Sequence, residues 1–240
     1  MPDPWLALRA ATSARIGLGR TGDALPLDAV LDFQLAHARA RDAVHTPLDT
    51  AALGFPVLVS AAPDRATYLR RPDRGRTLAP GTVLERGAWD TVFVLADGLS
   101  PLAVQRHALP LMAACLPRLG GWRIMTVTAV QARVALGDEI GAGLGAQMVA
   151  VLIGERPGLS VADSLGIYLT YDPRPGRRDS ERNCISNIHP GGLSYAAAAD
   201  LLYWLMTEAR HRKLTGTALK DGRALPSALE TVSLAAPRPV

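Results

Sequence analysis

The sequence is poor in the residues and segments that several classes of protein require. It has only two cysteines among 240 residues, Cys115 and Cys184, and they do not form a CxxC pair. We therefore expect neither a structural zinc site nor a secreted domain stabilised by disulfides. No apolar run reaches the roughly 18–20 residues of a membrane span, and residues 1–5 do not begin a secretory signal. We expect a protein of the reducing cytoplasm without membrane association.

Lysine is almost absent, since 24 of the 26 basic residues are arginine. A guanidinium binds phosphate or carboxylate through two parallel hydrogen bonds. The abundance of arginine therefore favours a nucleotide-like ligand or a polar protein interface. A genome whose base composition favours arginine codons would produce the same bias without a functional cause. The basic residues are dispersed among acidic ones, and the net charge is only +4. We therefore expect no nucleic-acid partner.

What the chain does have is the composition of a soluble globular protein. Hydrophobic residues make up 48% and charged residues 20%, which is close to the usual balance. The 22 glycines and 18 prolines fall below the roughly 25–30% combined share that indicates disorder. The length fits one large domain, or one domain with a small appendage.

The first 50 residues predict a small helical segment. An amphipathic helix is expected from about 26 to 45, because side chains on one face recur at helical spacing. These side chains are Leu27, Val30, Leu31, Gln34, Leu35 and Ala38. Gly17-x-Gly19-x-x-Gly22 matches the dinucleotide-binding pattern, but no predicted strand precedes it. It is therefore interpreted as a coincidence or a flexible turn.

Residues 51–221 predict an α/β domain. Six short apolar runs are typical of strands buried on both faces; they are 55–60, 91–96, 124–129, 148–153, 167–171 and 185–188. The helical segments between them are 101–119, 138–146 and 194–213. This alternation predicts a mostly parallel sheet with helices on both faces. Pro110 should kink or split its helix, Gly216 should close the last helix, and residues 222–240 should form a loose tail.

Two strand ends are candidate binding sites, because ligands of open parallel sheets bind at the carboxyl ends of the strands. The second predicted strand is followed by Asp97 and by Ser100, which is placed to cap the next helix. The fourth is followed by Glu155 and Arg156 between two glycines. Glu155 can accept hydrogen bonds from amides, and Arg156 can hold phosphate or carboxylate. The alternative is a surface turn with a solvated ion pair.

A third polar cluster surrounds Cys184 and His189. By itself it can be a helix-capping loop. With no other metal ligands nearby, His189 is interpreted as a hydrogen-bonded loop histidine and Cys184 as a buried, inert thiol. No GxSxG elbow, Walker loop or self-contained catalytic constellation is present. The residues thus predict a ligand-binding chain without an evident catalyst.

Several ungapped motifs, in the right order, resemble the small subunit of ethanolamine ammonia-lyase over about residues 14–221. They are Ala14-Arg-Ile-Gly-Leu-Gly-Arg20, Asp32-Phe-Gln-Leu-Ala-His-Ala-Arg-Ala-Arg-Asp42, Tyr68-Leu-Arg-Arg-Pro-Asp-Arg-Gly-Arg76, Asp97-Gly-Leu-Ser100, Gly137-Asp-Glu-Ile-Gly141, Gly154-Glu-Arg-Pro-Gly158 and Cys184-Ile-Ser-Asn-Ile-His189. The resemblance implies a Rossmann-like domain that binds and orients adenosylcobalamin. It also implies a TIM-barrel large subunit, which binds ethanolamine, in a multi-copy hetero-oligomer. The reaction implied is the radical conversion of ethanolamine to acetaldehyde and ammonia, with segment 1–50 docking the large subunit.

The family's cobalamin contacts, carried over by position, fall on Val134, Glu155 and Cys184. Glu155 would accept hydrogen bonds from corrin amides, and the other two would contact the periphery of the cofactor. Asn187-x-His189-x-x-Gly192 differs by one residue from the Asp-x-His-x-x-Gly signature of proteins that bind cobalt through histidine. Without that aspartate, His189 is not expected to ligate cobalt.

Two alternatives stay open at this point. The chain could be a cobalamin- or nucleotide-binding module without catalysis, such as a carrier or sensor, or a purely structural interaction subunit. Some relatives carry a longer N-terminal extension that is associated with packaging into bacterial microcompartments. Because this chain starts close to the shared core, the cytoplasm is the first expectation and a bacterial microcompartment is the second.

Overall fold

The computed structural model describes residues 3–12, 14–19 and 22–223. The α-helices in this part of the chain are α1 (Leu6–Ala11), α2 (Leu27–His45), α3 (Thr50–Leu53), α4 (Arg65–Arg70), α5 (Pro101–Cys115), α6 (Leu136–Leu144) and α7 (Tyr195–Arg212). The strands are β1 (Val57–Val59), β2 (Trp89–Ala96), β3 (Ile124–Val130), β4 (Ala146–Gly154), β5 (Leu165–Tyr171) and β6 (Asn183–Ile188). All six predicted strands are confirmed. Most of the predicted tail, from 224 onward, lies outside the described residues.

The strands form one mixed sheet in the order β1-β3-β2-β4-β5-β6. The pairings among β1, β3, β2 and β4 are parallel, whereas β4–β5 and β5–β6 are antiparallel. The expected α/β class is confirmed, but the expectation of parallel pairing is wrong for the last two strands. A parallel pair needs a long crossover, usually a helix, and none lies in the described residues between β4 and β5.

Helices cover the two faces of the sheet unequally. Phe93 of β2 belongs to the core under α5 and α7, while Val94 belongs to the core under α6. Successive residues of β2 thus enter different cores, which explains its unbroken apolar run. Toward the β6 edge, Cys184 and Ser186 point away from the α5 side and are exposed. This half of the α6 face therefore has no helical cover in the described structure.

The ends of the helices confirm some expectations and correct others. Ser100 caps α5, with Pro101 in its first turn, as the sequence predicts. The expected split at Pro110 is wrong, because buried residues on both sides of this exposed proline hold α5 against the sheet. Gly216 does not close α7, which ends at Arg212 and is capped by Lys213 in a left-handed conformation.

The N-terminal segment contains the expected amphipathic helix, α2, preceded by the short α1, which the sequence analysis did not anticipate. Only Ala43 of α2 is buried. Its large exposed apolar side chains are Leu27, Leu31, Phe33 and Leu35. Residues 14–19 contain no strand, in agreement with setting the dinucleotide pattern aside. None of the described helices combines the length and the apolar character needed to cross a bilayer.

Candidate ligand-binding site

Two glycines allow the carboxyl ends of β2 and β4 to approach each other closely. A Cβ atom on Gly154 would overlap the backbone of Ser100, and one on Gly98 would overlap the Gly154 carbonyl. Gly98 also has a φ of 56°, in the left-handed region that glycine adopts readily. The Leu99 N–H donates to the Gly154 carbonyl at 3.0 Å. The loop after β2 is therefore fixed against the end of β4.

Asp97 ties the ends of β2 and β3 together from a buried position. Its carboxylate accepts hydrogen bonds from the N–H groups of Gln131 and Ala132, both at 2.8 Å. It also lies 3.4 Å from the Arg65 guanidinium. Burial raises the pKa of Asp97 above the usual carboxyl range, against the lowering effect of these donors. Asp97 is thus occupied within the protein.

Ser100 has a structural role of the same kind. It is fully buried, and its hydroxyl donates to the Ala162 carbonyl at 3.0 Å. The same oxygen accepts the Ala103 N–H at the start of α5, at 3.3 Å. Both candidate ligand-binding residues after β2, Asp97 and Ser100, therefore stabilise the loop. Neither presents a free polar atom to a ligand.

A cleft of about 440 Å³ opens where β4 ends; we call it the β4 cleft. Its lining combines apolar and charged residues: Tyr68, Gly98, Leu99, Arg133, Val134, Ile153, Gly154, Glu155, Arg156 and Tyr168. A smaller cavity of about 190 Å³ adjoins it and shares Arg133, Val134 and Tyr168. The structure therefore brings Val134, from the loop after β3, into one cleft with Glu155 and Arg156, from the loop after β4.

Cys184 lies beside the β4 cleft through its neighbour Tyr168. The two residues are cross-strand partners in the β5–β6 pair. The thiol is exposed, so the interpretation of Cys184 as buried is wrong; its strand is an edge strand with one open face. Desolvation raises the pKa of the thiol, and a weaker opposing effect of the Tyr168 hydroxyl does not cancel it. A thiol of raised pKa is a poor nucleophile near neutral pH, which supports the inert character expected from the sequence.

The Glu155 carboxylate is oriented by two hydrogen-bond donors. The Ser164 hydroxyl donates to Oε2 at 2.6 Å, and the Asn187 N–H donates to the same oxygen at 3.2 Å. Asn187 reaches this position with a φ of 61°, a conformation that asparagine adopts more readily than most residues. Gly166 of β5 leaves room for the carboxylate, since a Cβ there would lie 2.9 Å from Oε1. The carboxylate keeps acceptor capacity for a ligand.

His189 uses both of its ring nitrogens within its own loop. Nε2 lies 2.9 Å from Oδ1 of Asn187, and Nδ1 accepts the Gly191 N–H at 3.2 Å. The ring is buried and borders another cavity, not the β4 cleft. This geometry agrees with the interpretation of His189 as a hydrogen-bonded loop histidine.

That other cavity, of about 600 Å³, lies between α2 and residues 160–163. It is larger than the β4 cleft, and its lining includes two arginines and two aspartates, of which Arg106 and Asp163 pair at 2.7 Å. The β4 cleft is the better candidate for a ligand, because it lies where β2 and β4 end and ligands of open sheets bind at the carboxyl ends of the strands.

Comparison with known proteins identifies the family. A family model described as ethanolamine ammonia-lyase light chain matches residues 2–220. The chain belongs to this family. It is 54% identical over 239 residues to the ethanolamine ammonia-lyase small subunit of Azotobacter vinelandii, covering 91% of this chain and 88% of that relative. The small subunit of Ralstonia nicotianae is 52% identical (93% and 90% covered), and that of Xanthomonas campestris pv. campestris is 51% identical (98% and 94% covered). The resemblance seen in the sequence is confirmed.

In this member of the ethanolamine ammonia-lyase light-chain family, the structure adds site residues that sequence reasoning missed. Tyr168 and Arg133 line the β4 cleft, and Ser164 holds Glu155. No motif marks any of the three. The alternation of β5 does place Tyr168 on the face opposite Ile167 and Leu169, which is a signal that the sequence could have provided.

Proposed function

We propose that this chain is the small subunit of an adenosylcobalamin-dependent ethanolamine ammonia-lyase, a cytoplasmic enzyme that converts ethanolamine to acetaldehyde and ammonia. The chain binds and orients cobalamin and docks a large subunit of TIM-barrel fold, which holds ethanolamine and the catalytic side chains. The observation that carries the proposal is the β4 cleft, where Glu155 and Val134 meet beside the open strand pair that contains Cys184.

The residues around the β4 cleft fit one side of a cobalamin molecule. The corrin ring carries neutral amide side chains at its edge, and the oriented Glu155 carboxylate offers an acceptor for their N–H groups. Val134 and Tyr168 offer apolar contact area. A cavity of this size encloses a drug-sized ligand, and cobalamin is much larger. The cofactor would therefore extend over the open faces of β5 and β6 and meet a second protein surface.

When bound, adenosylcobalamin supplies the radical chemistry of the reaction. The residues of this chain contribute binding and orientation. Glu155 holds a corrin amide, Val134 and Tyr168 exclude water from the corrin edge, and Cys184 contacts its periphery. His189 takes no part, because both of its ring nitrogens are engaged in its own loop.

Docking of the large subunit is assigned to the N-terminal segment. Leu27, Leu31 and Leu35 of α2 are exposed, and their spacing of four residues places them on one face of the helix. A row of exposed apolar side chains is typical of surfaces that another protein covers. A composite enzyme, in which the cofactor lies between two chains, explains both this helix and the half-open β4 cleft.

The first experiment measures acetaldehyde formation from ethanolamine and adenosylcobalamin. The samples are this chain alone, a family large subunit alone, both together, and the mixture with Glu155→Ala. We expect activity only in mixtures, with the adenosylcobalamin concentration for half-maximal activity raised about tenfold by Glu155→Ala, since a charged hydrogen bond is lost. Glu85→Ala, at an exposed loop position away from the cleft, is the matched control. A stable complex without activity would overturn the enzyme proposal, and cobalamin binding by the isolated chain would then favour a binding module.

The docking assignment has its own test. Leu31→Asp with Leu35→Asp should weaken complex formation at least tenfold, because two charges would be placed in an apolar interface. Val83→Asp, at a loop residue that is 85% exposed, is the control. Analytical ultracentrifugation of the mixtures measures the effect. Equal association of the unmodified chain, the double variant and the control with the large subunit would show that α2 is not part of the interface.

A further inference from the structure

The β4 cleft and the smaller cavity beside it are lined by three arginines, Arg76, Arg133 and Arg156, to which the proposed function gives no role. Arg133 lines both the β4 cleft and the smaller adjoining cavity. Arg156 lines the first, and Arg76 lines the second. Arg133 therefore lies between the other two along one continuous surface.

Arg133 is held in place before any ligand arrives. Its guanidinium carbon lies 4.3 Å from the centre of the Tyr68 ring, and Nη2 donates to the Tyr68 carbonyl at 3.3 Å. Its backbone N–H donates to the Gly75 carbonyl at 2.8 Å. Gly75 also makes room for the side chain, since a Cβ there would lie 2.9 Å from the Arg133 Cγ. A guanidinium that is already ordered loses little entropy when it binds an anion.

The three arginines of this surface form no ion pair with a described residue, although Glu155 lines the β4 cleft and Asp179 lines the smaller cavity. Other arginines of this region have carboxylate partners: Arg182 pairs with Asp138 at 2.6 Å, and Arg65 lies 3.4 Å from Asp97. No carboxylate of the described chain lies within 4.0 Å of Arg76, Arg133 or Arg156. The Nε of Arg133 is buried and has no hydrogen-bond acceptor in this part of the chain. A buried charged donor without an acceptor is costly, and an anion bound beside the guanidinium would balance its charge.

We propose that Arg133, flanked by Arg76 and Arg156, forms a subsite for a phosphodiester, namely the one in the nucleotide tail of cobalamin. This inference rests on the proposed function and adds the part of the cofactor that each end of the site binds. The corrin amides are neutral and suit Glu155. The phosphodiester is the anionic group at the periphery of the molecule, and its two free oxygens match the planar fork of a guanidinium.

The test compares cobalamin with cobinamide, which has the same corrin but lacks the nucleotide tail and its base. Both are titrated by absorbance into the full chain in complex with a family large subunit. Arg133→Met should weaken cobalamin binding about tenfold or more and change cobinamide binding less than about twofold. Arg133→Lys should recover only part of the loss, because an ammonium cannot bind two oxygens in parallel. Glu155→Ala should weaken the binding of both corrinoids.

Two further measurements keep the test decisive if Arg133→Met unfolds the chain. Arg156→Gln and Arg76→Gln change exposed side chains, and each should weaken cobalamin binding about twofold to fivefold without affecting cobinamide. Inorganic phosphate at millimolar concentration should compete with cobalamin but not with cobinamide. Equal losses for both corrinoids, or none, in the arginine variants would overturn the phosphodiester subsite alone. Failure of the unmodified complex to bind either corrinoid would overturn the proposed function as well.

Discussion

The guanidinium of Arg182 and the carboxylate of Asp138 form a bidentate ion pair in the interior of the protein. Nη1 lies 2.6 Å from Oδ1, and Nη2 lies 2.7 Å from Oδ2. Both side chains are 2% exposed. Arg182 also donates to the Thr170 hydroxyl and to the Arg177 carbonyl. The pair joins the start of β6 to the first turn of α6, so it fixes the antiparallel strands relative to the helix that follows Val134.

Removing one partner of this pair should be strongly destabilising. Asp138→Asn or Arg182→Met leaves the charge of the remaining partner unpaired in the interior, which costs about 3–5 kcal/mol. The double variant Asp138→Leu with Arg182→Met should lose less than the sum, because no buried charge is left over. Urea unfolding followed by circular dichroism measures each free energy. Additive losses in the double variant would show that the two residues stabilise the fold independently.

The close approach of β2 and β4 predicts that Gly154 tolerates no side chain. Gly154→Ala would drive a methyl group into the backbone of Ser100, and we expect a loss of about 3 kcal/mol of unfolding free energy. Gly120→Ala is the matched control, because its φ is −53° and a Cβ there meets no atom within 4 Å. The control should change stability by less than about 1 kcal/mol. Similar thermal midpoints for the two variants would contradict this account of the β4 end.

Ser164 is predicted to act on the ligand through Glu155. Ser164→Ala removes the donor 2.6 Å from Oε2 and frees the carboxylate to turn, so cobalamin affinity in the complex should fall about threefold to tenfold. The loss should be smaller than that of Glu155→Ala, and adding Ser164→Ala to Glu155→Ala should cause no further loss. Ser160→Ala, in the same loop but exposed, is the control. Additive effects in the double variant would mean that Ser164 contacts the ligand separately.

The two thiols should differ in their reactivity toward iodoacetamide. Cys184 is exposed and Cys115 is buried, so one thiol should react in the native chain and two after unfolding. Burial raises the pKa of Cys115 to about 12 and desolvation raises that of Cys184. Thiolate is therefore scarce near pH 7, and the rate at Cys184 should rise with pH beyond the usual thiol range near 9.

Cys184→Ser is the control for this labelling, since it should abolish the native reaction and leave Cys115 protected. Adding cobalamin to the complex should slow the reaction at Cys184 by about fivefold or more if the cofactor covers the β6 face. Mass spectrometry of the labelled peptides assigns the sites. A rate at Cys184 that does not change with the cofactor would remove this residue from the contact surface.

The place of Glu155 and Arg156 in this site could be predicted from the sequence, because the signal is local. The run that became β4 is apolar because both of its faces are buried, and the polar residues Glu155 and Arg156 follow where the strand leaves the core. The same reasoning chose Asp97 and Ser100, yet their polar atoms are already hydrogen-bonded to the backbone of Gln131, Ala132 and Ala162. Which strand end keeps free polar atoms depends on contacts between distant loops, and no spacing within the chain reveals them.

Composition, periodicity and motif order were sufficient for the α/β class, the six strands, the amphipathic α2 and the family. These properties follow from short-range burial patterns and from residues that lie together in the chain. The direction of β5, the open face beside Cys184 and the pairing of Arg182 with Asp138 were settled only by packing, because each joins residues from separate segments. The stacking of Arg133 on Tyr68 is of the same kind. A side chain acquires its charge partner, or the lack of one, only when the elements of the fold come together.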